Sequence, residues 1–161
     1  MEIWDAYNKD FNKIEDVTLV RGEPVPDGYF HLVCEVVVRH NDGSYLLMQR
    51  DKRKHFGGLW ELTAGGSALQ GENPLECAIR ELKEETGIVS DALIEIGKVY
   101  HYNHKSIYVE FLCNTNCEKS SVTLQDGETS AYKWVSKDEL MNMSKSEFAT
   151  QRIQNFIEEF S

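Results

Sequence analysis

A chain of 161 residues, 41% of them hydrophobic, is the size of one domain with a core of its own, so residues 1–161 are read as a single domain. Its 27 acidic against 17 basic residues leave a formal net charge of −10, which disfavours nucleic-acid polymers and anionic membranes but not a small anion met by a local counter-charge. No apolar stretch is long enough to span a bilayer, and the opening MEIWDAYNKD is too polar for a secretory signal, so a cytoplasmic protein is expected.

Residues 2–16 carry Ile3, Trp4, Tyr7, Phe11 and Ile14 around the polar turn Asn8-Lys9-Asp10, the pattern of a short hairpin. The following VTLVRGEPVPDGYFH holds Pro24, Pro26 and Gly28 and is expected to be irregular. Residues 32–38, LVCEVVV, are rich in β-branched side chains, and 45–49 follow the turn Asn41-Asp42-Gly43, which together predict a hairpin. Arg50 then opens RDKRKH, a dense basic run in an acidic chain. Most of that run reads as a solvated loop; Arg50, directly after a strand, and then Lys54 are the candidates for phosphate contact. In FGGLW, Phe56 and Trp60 can stack on a base or pack the core, and the core reading leads for Trp60. Residues 61–64 are a short strand.

The stretch GGSALQGENPLECAIRELKEETGI, residues 65–88, organises the rest. Asn73 suits a helix cap, Pro74 the first helical position and Glu76 the third, while Gly87 supplies the stop. On that helix Glu81, Glu84 and Glu85 stand at i, i+3 and i+4, three carboxylates along one face, with Lys83 roughly 200° around the axis from Glu81. A cation is therefore expected among them, and hard divalent ions, Mg²⁺ first and Mn²⁺ second, suit the oxygen donors. The alternative is an ordinary solvated charged face.

Residues 92–101 and 107–113 alternate as strands around Tyr102-Asn103-His104-Lys105; His101 and His104 there read as surface histidines. Glu110, inside the second of these strands, is either an outer metal ligand or a solvent-facing residue. Residues 131–135 form the last strand. Ser136 with Glu139 and Ser144 with Glu147 have capping-box spacing, so two helices should follow, the second with an apolar stripe of Ala149, Ile153, Phe156, Ile157 and Phe160. Cys34, Cys77, Cys113 and Cys117 are scattered and read as buried or idle thiols, not a disulfide or zinc framework.

With Gly66, Glu72, Arg80, Glu81, Leu82, Glu84, Glu85, Gly87 and Ile88 at their spacings, the stretch resembles the box GX5EX7REUXEEXGU of the Nudix hydrolases, all nine defined positions being filled. The N-terminal EIWDAYNKDFNKI is similar to the hairpin of the branch that includes isopentenyl diphosphate isomerase. The resemblance implies an α/β/α sandwich with a mixed central sheet, the box helix on one face and the C-terminal helix on the other. It also implies a divalent-metal-dependent hydrolase that attacks the phosphorus of a diphosphate with water. Carried over to this chain, Glu81, Glu84, Glu85 and the carbonyl of Gly65 hold the metal, Glu72 and Arg80 pair structurally, and Gly66 and Gly87 meet backbone demands. Glu128, six residues before Trp134, matches a glutamate that reaches toward substrate or water. Relatives usually carry proline where Gly57 stands, so a looser loop is expected there. Many relatives pair, which leaves a homodimer open. Two rivals are an isomerase, disfavoured because Thr63, Ala64 and Gly65 offer no acid-base cysteine, and a non-catalytic ligand sensor, disfavoured because the box glutamates are all present.

Overall fold

The computed structural model describes residues 1–150, and in it β1 (Ile3–Tyr7) and β2 (Lys13–Val20) form the N-terminal hairpin as a two-stranded antiparallel sheet. Asn8 shapes the turn, its side chain accepting from the backbone N–H groups of Asp10 and Asn12 at 2.9 and 3.0 Å. The second strand runs further than expected because Val17 and Leu19 alternate inward and pack with Trp4 and Ala6. The irregular segment begins only at Arg21.

Seven further strands make one mixed sheet: β3 (His31–His40), β4 (Tyr45–Arg50), β5 (Trp60–Glu61), β6 (Thr63–Ser67), β7 (Leu93–His101), β8 (Ser106–Thr115) and β9 (Thr129–Val135). β3 is its hub. Along one edge it pairs parallel with β8 over its full length, and along the other it pairs antiparallel with β6. The expected β3–β4 hairpin holds only at its base, where Arg39 meets Tyr45, after which β4 leaves to pair with β9 and β5. β6 takes the vacated edge, and it can do so because Gly65 sits opposite Glu35, where an added Cβ would collide with the carbonyl oxygen of Cys34. The first box glycine, Gly66, and Gly65 before it thus belong to a strand.

α1 (Pro74–Thr86) forms as its caps dictate. Asn73 and Glu76 exchange side-chain-to-backbone bonds at 2.8 and 3.1 Å, and Gly87 closes the helix at φ 79° with its N–H on the carbonyl of Lys83. Cys77, Ala78 and Leu82 bury its inner face against Cys34, Val36 and Val38 of β3. The opposite sheet face buries Val37, Leu47 and Leu112 against Leu140 of α2 (Lys137–Asn142) and Phe148. The result is the expected α/β/α layering. Ser136 caps α2 with Glu139, but the second capping box, Ser144 with Glu147, opens a single 3₁₀ turn, Lys145–Glu147. The stripe from Ile153 to Phe160 lies outside the described residues. Among those described, no helix is long and apolar enough to cross a membrane.

Candidate active site

The site forms where β6 passes beside the second half of α1. Arg80 points back to the loop between them and spreads its guanidinium over three carboxylates. Nε and Nη2 donate to the two oxygens of Glu72 at 2.7 and 2.9 Å, and Nη1 donates to Glu81 at 2.8 Å and Glu84 at 3.1 Å. Nη2 also reaches the carbonyl of Ser67 at 3.1 Å, while Glu72 accepts from the N–H of Leu69 at 2.7 Å. Burial pushes Glu72 up, but the Arg80 bonds and the Leu69 N–H outweigh it and hold the carboxyl below its usual range. The bidentate fork fixes the loop to the helix and needs the planar donor geometry of arginine. Arg80→Ala should destabilise the fold by about 2–3 kcal/mol, somewhat less than for a fully buried pair, because it strands Glu72 and Glu81. A urea titration showing a loss under about 0.5 kcal/mol would refute that role.

The box glutamates do not share one environment. Glu84 is half exposed. Glu81 is largely buried, and burial raises its pKa against the pull of Arg80. Glu85 is partly buried at the cavity wall, accepting from the N–H of Gly65 at 3.2 Å; desolvation first, then the charges of Glu61 and Glu81, hold its carboxyl well above the ordinary carboxylate range. A Cβ on Gly66 would lie 2.7 Å from the Glu81 carboxylate, so this glycine makes room for the Glu81 side chain. Among the described residues no three His, Cys, Asp or Glu side chains are arranged as they stand to hold a metal ion. The reason is visible: Arg80 draws Glu81 and Glu84 toward itself. The donor chemistry nonetheless fits a hard cation, since partly buried carboxylates crowd one another beside backbone without side chains, and positive charge between them would relieve the repulsion.

These groups open into a cavity of about 620 Å³ that also takes in Arg50, Lys54 and Glu128. Arg50 is held by Glu61 and by the carbonyl of His55, its Nε donating at 2.8 Å, and Lys54 is paired with Glu128. Both cations therefore reach the cavity with a carboxylate partner already in place, which the basic run does not reveal. Phe56 lines the cavity too and is exposed. Trp60, a stacking candidate, does not line it. Its ring packs against the second core cluster beneath the Lys133 ammonium, 4.4 Å from the ring centre, which is the core alternative.

Glu110 is also off the cavity wall. It is fully buried, which overturns the solvent-facing alternative, because β8 is an inner strand covered on both faces. The Gly57 loop is tight where a loose one was expected. An added Cβ would sit 2.6 Å from the Lys52 carbonyl oxygen, and the N–H groups of Gly57 and Gly58 bond back to Lys54 and Arg50 at 2.9 and 3.0 Å. Sequence reasoning passed over Glu61, Glu35 and Thr63, all on the cavity wall. Glu61 carried one signal, a carboxylate in the strand that leads directly into the box glycines.

The NUDIX domain family matches residues 30–160. An uncharacterized Nudix hydrolase of Listeria monocytogenes is 32% identical over 147 residues, covering 91% of this chain and 86% of its own. Among solved structures, a Deinococcus radiodurans protein superposes with a TM-score of 0.76 at 17% identity over 98% of both chains. A MutT protein from Methanosarcina mazei does so with a TM-score of 0.66 at 26% identity, over 81% of this chain and 92% of its own.

Proposed function

This chain belongs to the Nudix hydrolase family, which acts on pyrophosphate-containing substrates, and from that premise we propose that it hydrolyses a nucleoside diphosphate linked to a second group, or a similar diphosphate, with Mg²⁺ or Mn²⁺. The observation that carries the reading is the crowding of Glu85, Glu81 and Glu61 beside the box glycines at the wall of a cavity that also holds Arg50 and Lys54. We take residues 1–161 as one domain devoted to this reaction.

Glu81, Glu84, Glu85 and the carbonyl of Gly65 would hold the metal. When bound, a divalent ion offsets charge on the phosphoryl oxygens and acidifies water. Glu72 keeps Arg80 anchored when its bonds to Glu81 and Glu84 are given up. Arg50 and Lys54 exchange Glu61 and Glu128 for phosphate oxygens, orienting the diphosphate for in-line attack. Exchange at Lys54 leaves Glu128 available at the cavity wall to accept a proton, a role that Glu81 and Glu85 can also fill. Among the described residues no cysteine lines the cavity, which disfavours the isomerase alternative, and the retained glutamates disfavour a ligand sensor.

The test is a panel of nucleoside diphosphate sugars, ADP-ribose, dinucleoside polyphosphates, coenzyme A and prenyl diphosphates, with Mg²⁺ or Mn²⁺. Release of mononucleotide or phosphate that chelation abolishes is the expected result; no release from any of them overturns the reading. Metal should also stabilise the folded protein. At ~10 times its dissociation constant, Mg²⁺ adds about 1.4 kcal/mol, which a thermal melt reads as a rise of roughly 3–6 °C. The rise should shrink as pH falls through the raised value of Glu85, because the proton and the metal compete for that carboxylate. A rise equal at both ends of that window would count against Glu85 as a ligand.

A further inference from the structure

The matched family region begins at residue 30, yet the cavity reaches beyond it, to Glu2 just before β1 and Arg21 just after β2. Distance along β3 shows how far. His31, Val33 and Glu35 line the cavity at alternate positions, and Glu35 pairs with Gly65, whose N–H holds Glu85. Four residues of strand put His31 about 13 Å from that level, further than a diphosphate extends and within the span of a group attached to it.

That end is preorganised. The Arg21 N–H donates to the Glu2 carbonyl at 3.0 Å, tying the two ends of the hairpin together. Trp4 Nε1 donates to Glu2 Oε2 at 2.8 Å, and the Trp4 ring stacks on His31 with centroids 4.3 Å apart and planes 14° from parallel. One indole thus holds Glu2 and His31 in place together. The Arg21 guanidinium, 69% exposed, only grazes Glu2 Oε1 at 3.5 Å and can turn to a ligand. Burial pushes the His31 imidazole down, against the Lys105 carbonyl and the charge of Glu2, so it is neutral at neutral pH.

The wall there is polar and electrically balanced, one carboxylate against one guanidinium. A terminal phosphate would meet the repulsion of Glu2, and a prenyl tail would desolvate both charged groups without a partner. Hydroxyl groups satisfy both: the carboxylate accepts from them and the guanidinium donates to them. We propose that the hairpin end of the cavity is a recognition subsite for an uncharged, hydroxyl-rich, sugar-like group attached beyond the diphosphate, with Glu2 and Arg21 as its specificity-determining residues. The position of the diphosphate rests on the proposed hydrolase reading.

Calorimetric binding to the full chain, with Mg²⁺ present, separates the two. The probes are a methylene-bridged nucleoside diphosphate sugar, which cannot be hydrolysed at the bridge, and the methylene-bridged nucleoside diphosphate lacking the sugar. The wild type should bind the sugar-bearing analogue roughly tenfold more tightly, the worth of a hydrogen bond to a charged group. Arg21→Ala and Glu2→Gln should each abolish that preference, while Lys9→Ala, in the exposed hairpin turn, retains it. Equal or absent wild-type affinities, or a preference that survives in either subsite variant, overturn the proposal. If the preference behaves as expected but the natural diphosphate sugar is not hydrolysed with Mg²⁺ or Mn²⁺, the subsite stands and the hydrolase reading fails.

Discussion

Glu85→Gln is expected to lower turnover by about 10²–10³-fold, the scale on which losing one preorganised electrostatic group acts, while leaving the metal-free protein at least as stable at neutral pH. The two halves of that expectation have one cause. The carboxylate is partly buried and lies near the charges of Glu61 and Glu81, an arrangement that favours a cation and burdens the protein without one. Glutamine keeps the shape and can still accept from the Gly65 N–H, but it brings no charge. Between the ordinary carboxylate range and the raised value, the folded chain retains a proton that the unfolded chain has released, so stability falls as pH rises through that window. The variant's advantage in metal-free urea titrations should therefore be near zero below the ordinary carboxylate range and grow as pH rises through the window up to the raised value of Glu85. Turnover within tenfold of the wild type would remove Glu85 from the reaction.

Gly65→Ala, just before the box, should be more damaging than any single methyl added to the box glycines, costing about 3 kcal/mol or more in denaturant unfolding. The obstacle is the backbone of Cys34, which cannot yield without parting β6 from β3. Gly66→Ala makes the contrast. Its new methyl meets the Glu81 carboxylate, a side chain that can swing aside, so the protein should fold with a smaller loss of stability and lose activity instead. Equal destabilisation by both changes would show that the close approach of β6 to β3 does not set the tolerance.

The box helix was legible because its signals are local: Asn73, Pro74, Glu76 and Gly87 act within one turn of the ends they define. The pairing of Glu72 with Arg80 was legible from the resemblance and is present as a bidentate fork. What escaped depends on partners distant in sequence. β6 displaced β4 from β3 because of a steric allowance at Gly65 that no hairpin rule contains. Alternation left Glu110 open to solvent as one choice, but alternation reports exposure only when one face of the strand is wet, and both faces of β8 are covered. Arg50 and Lys54 stand out in the sequence as cations, while their carboxylate partners Glu61 and Glu128 lie 11 and 74 residues away. The reach of Glu2 and Arg21 into the cavity could not be read at all, since it depends on how the hairpin docks.

The parallel pairing at the hub has a kinetic side. His31 joins Ser106 across 75 residues, whereas Glu35 reaches Gly65 across 30, so β3, β6 and α1 can assemble as a nearly contiguous unit before the chain closes its longest loop onto β8. During synthesis the acidic box is complete well before β8 emerges, and the nascent chain holds β3, β6 and α1 with one edge of the central strand unsealed.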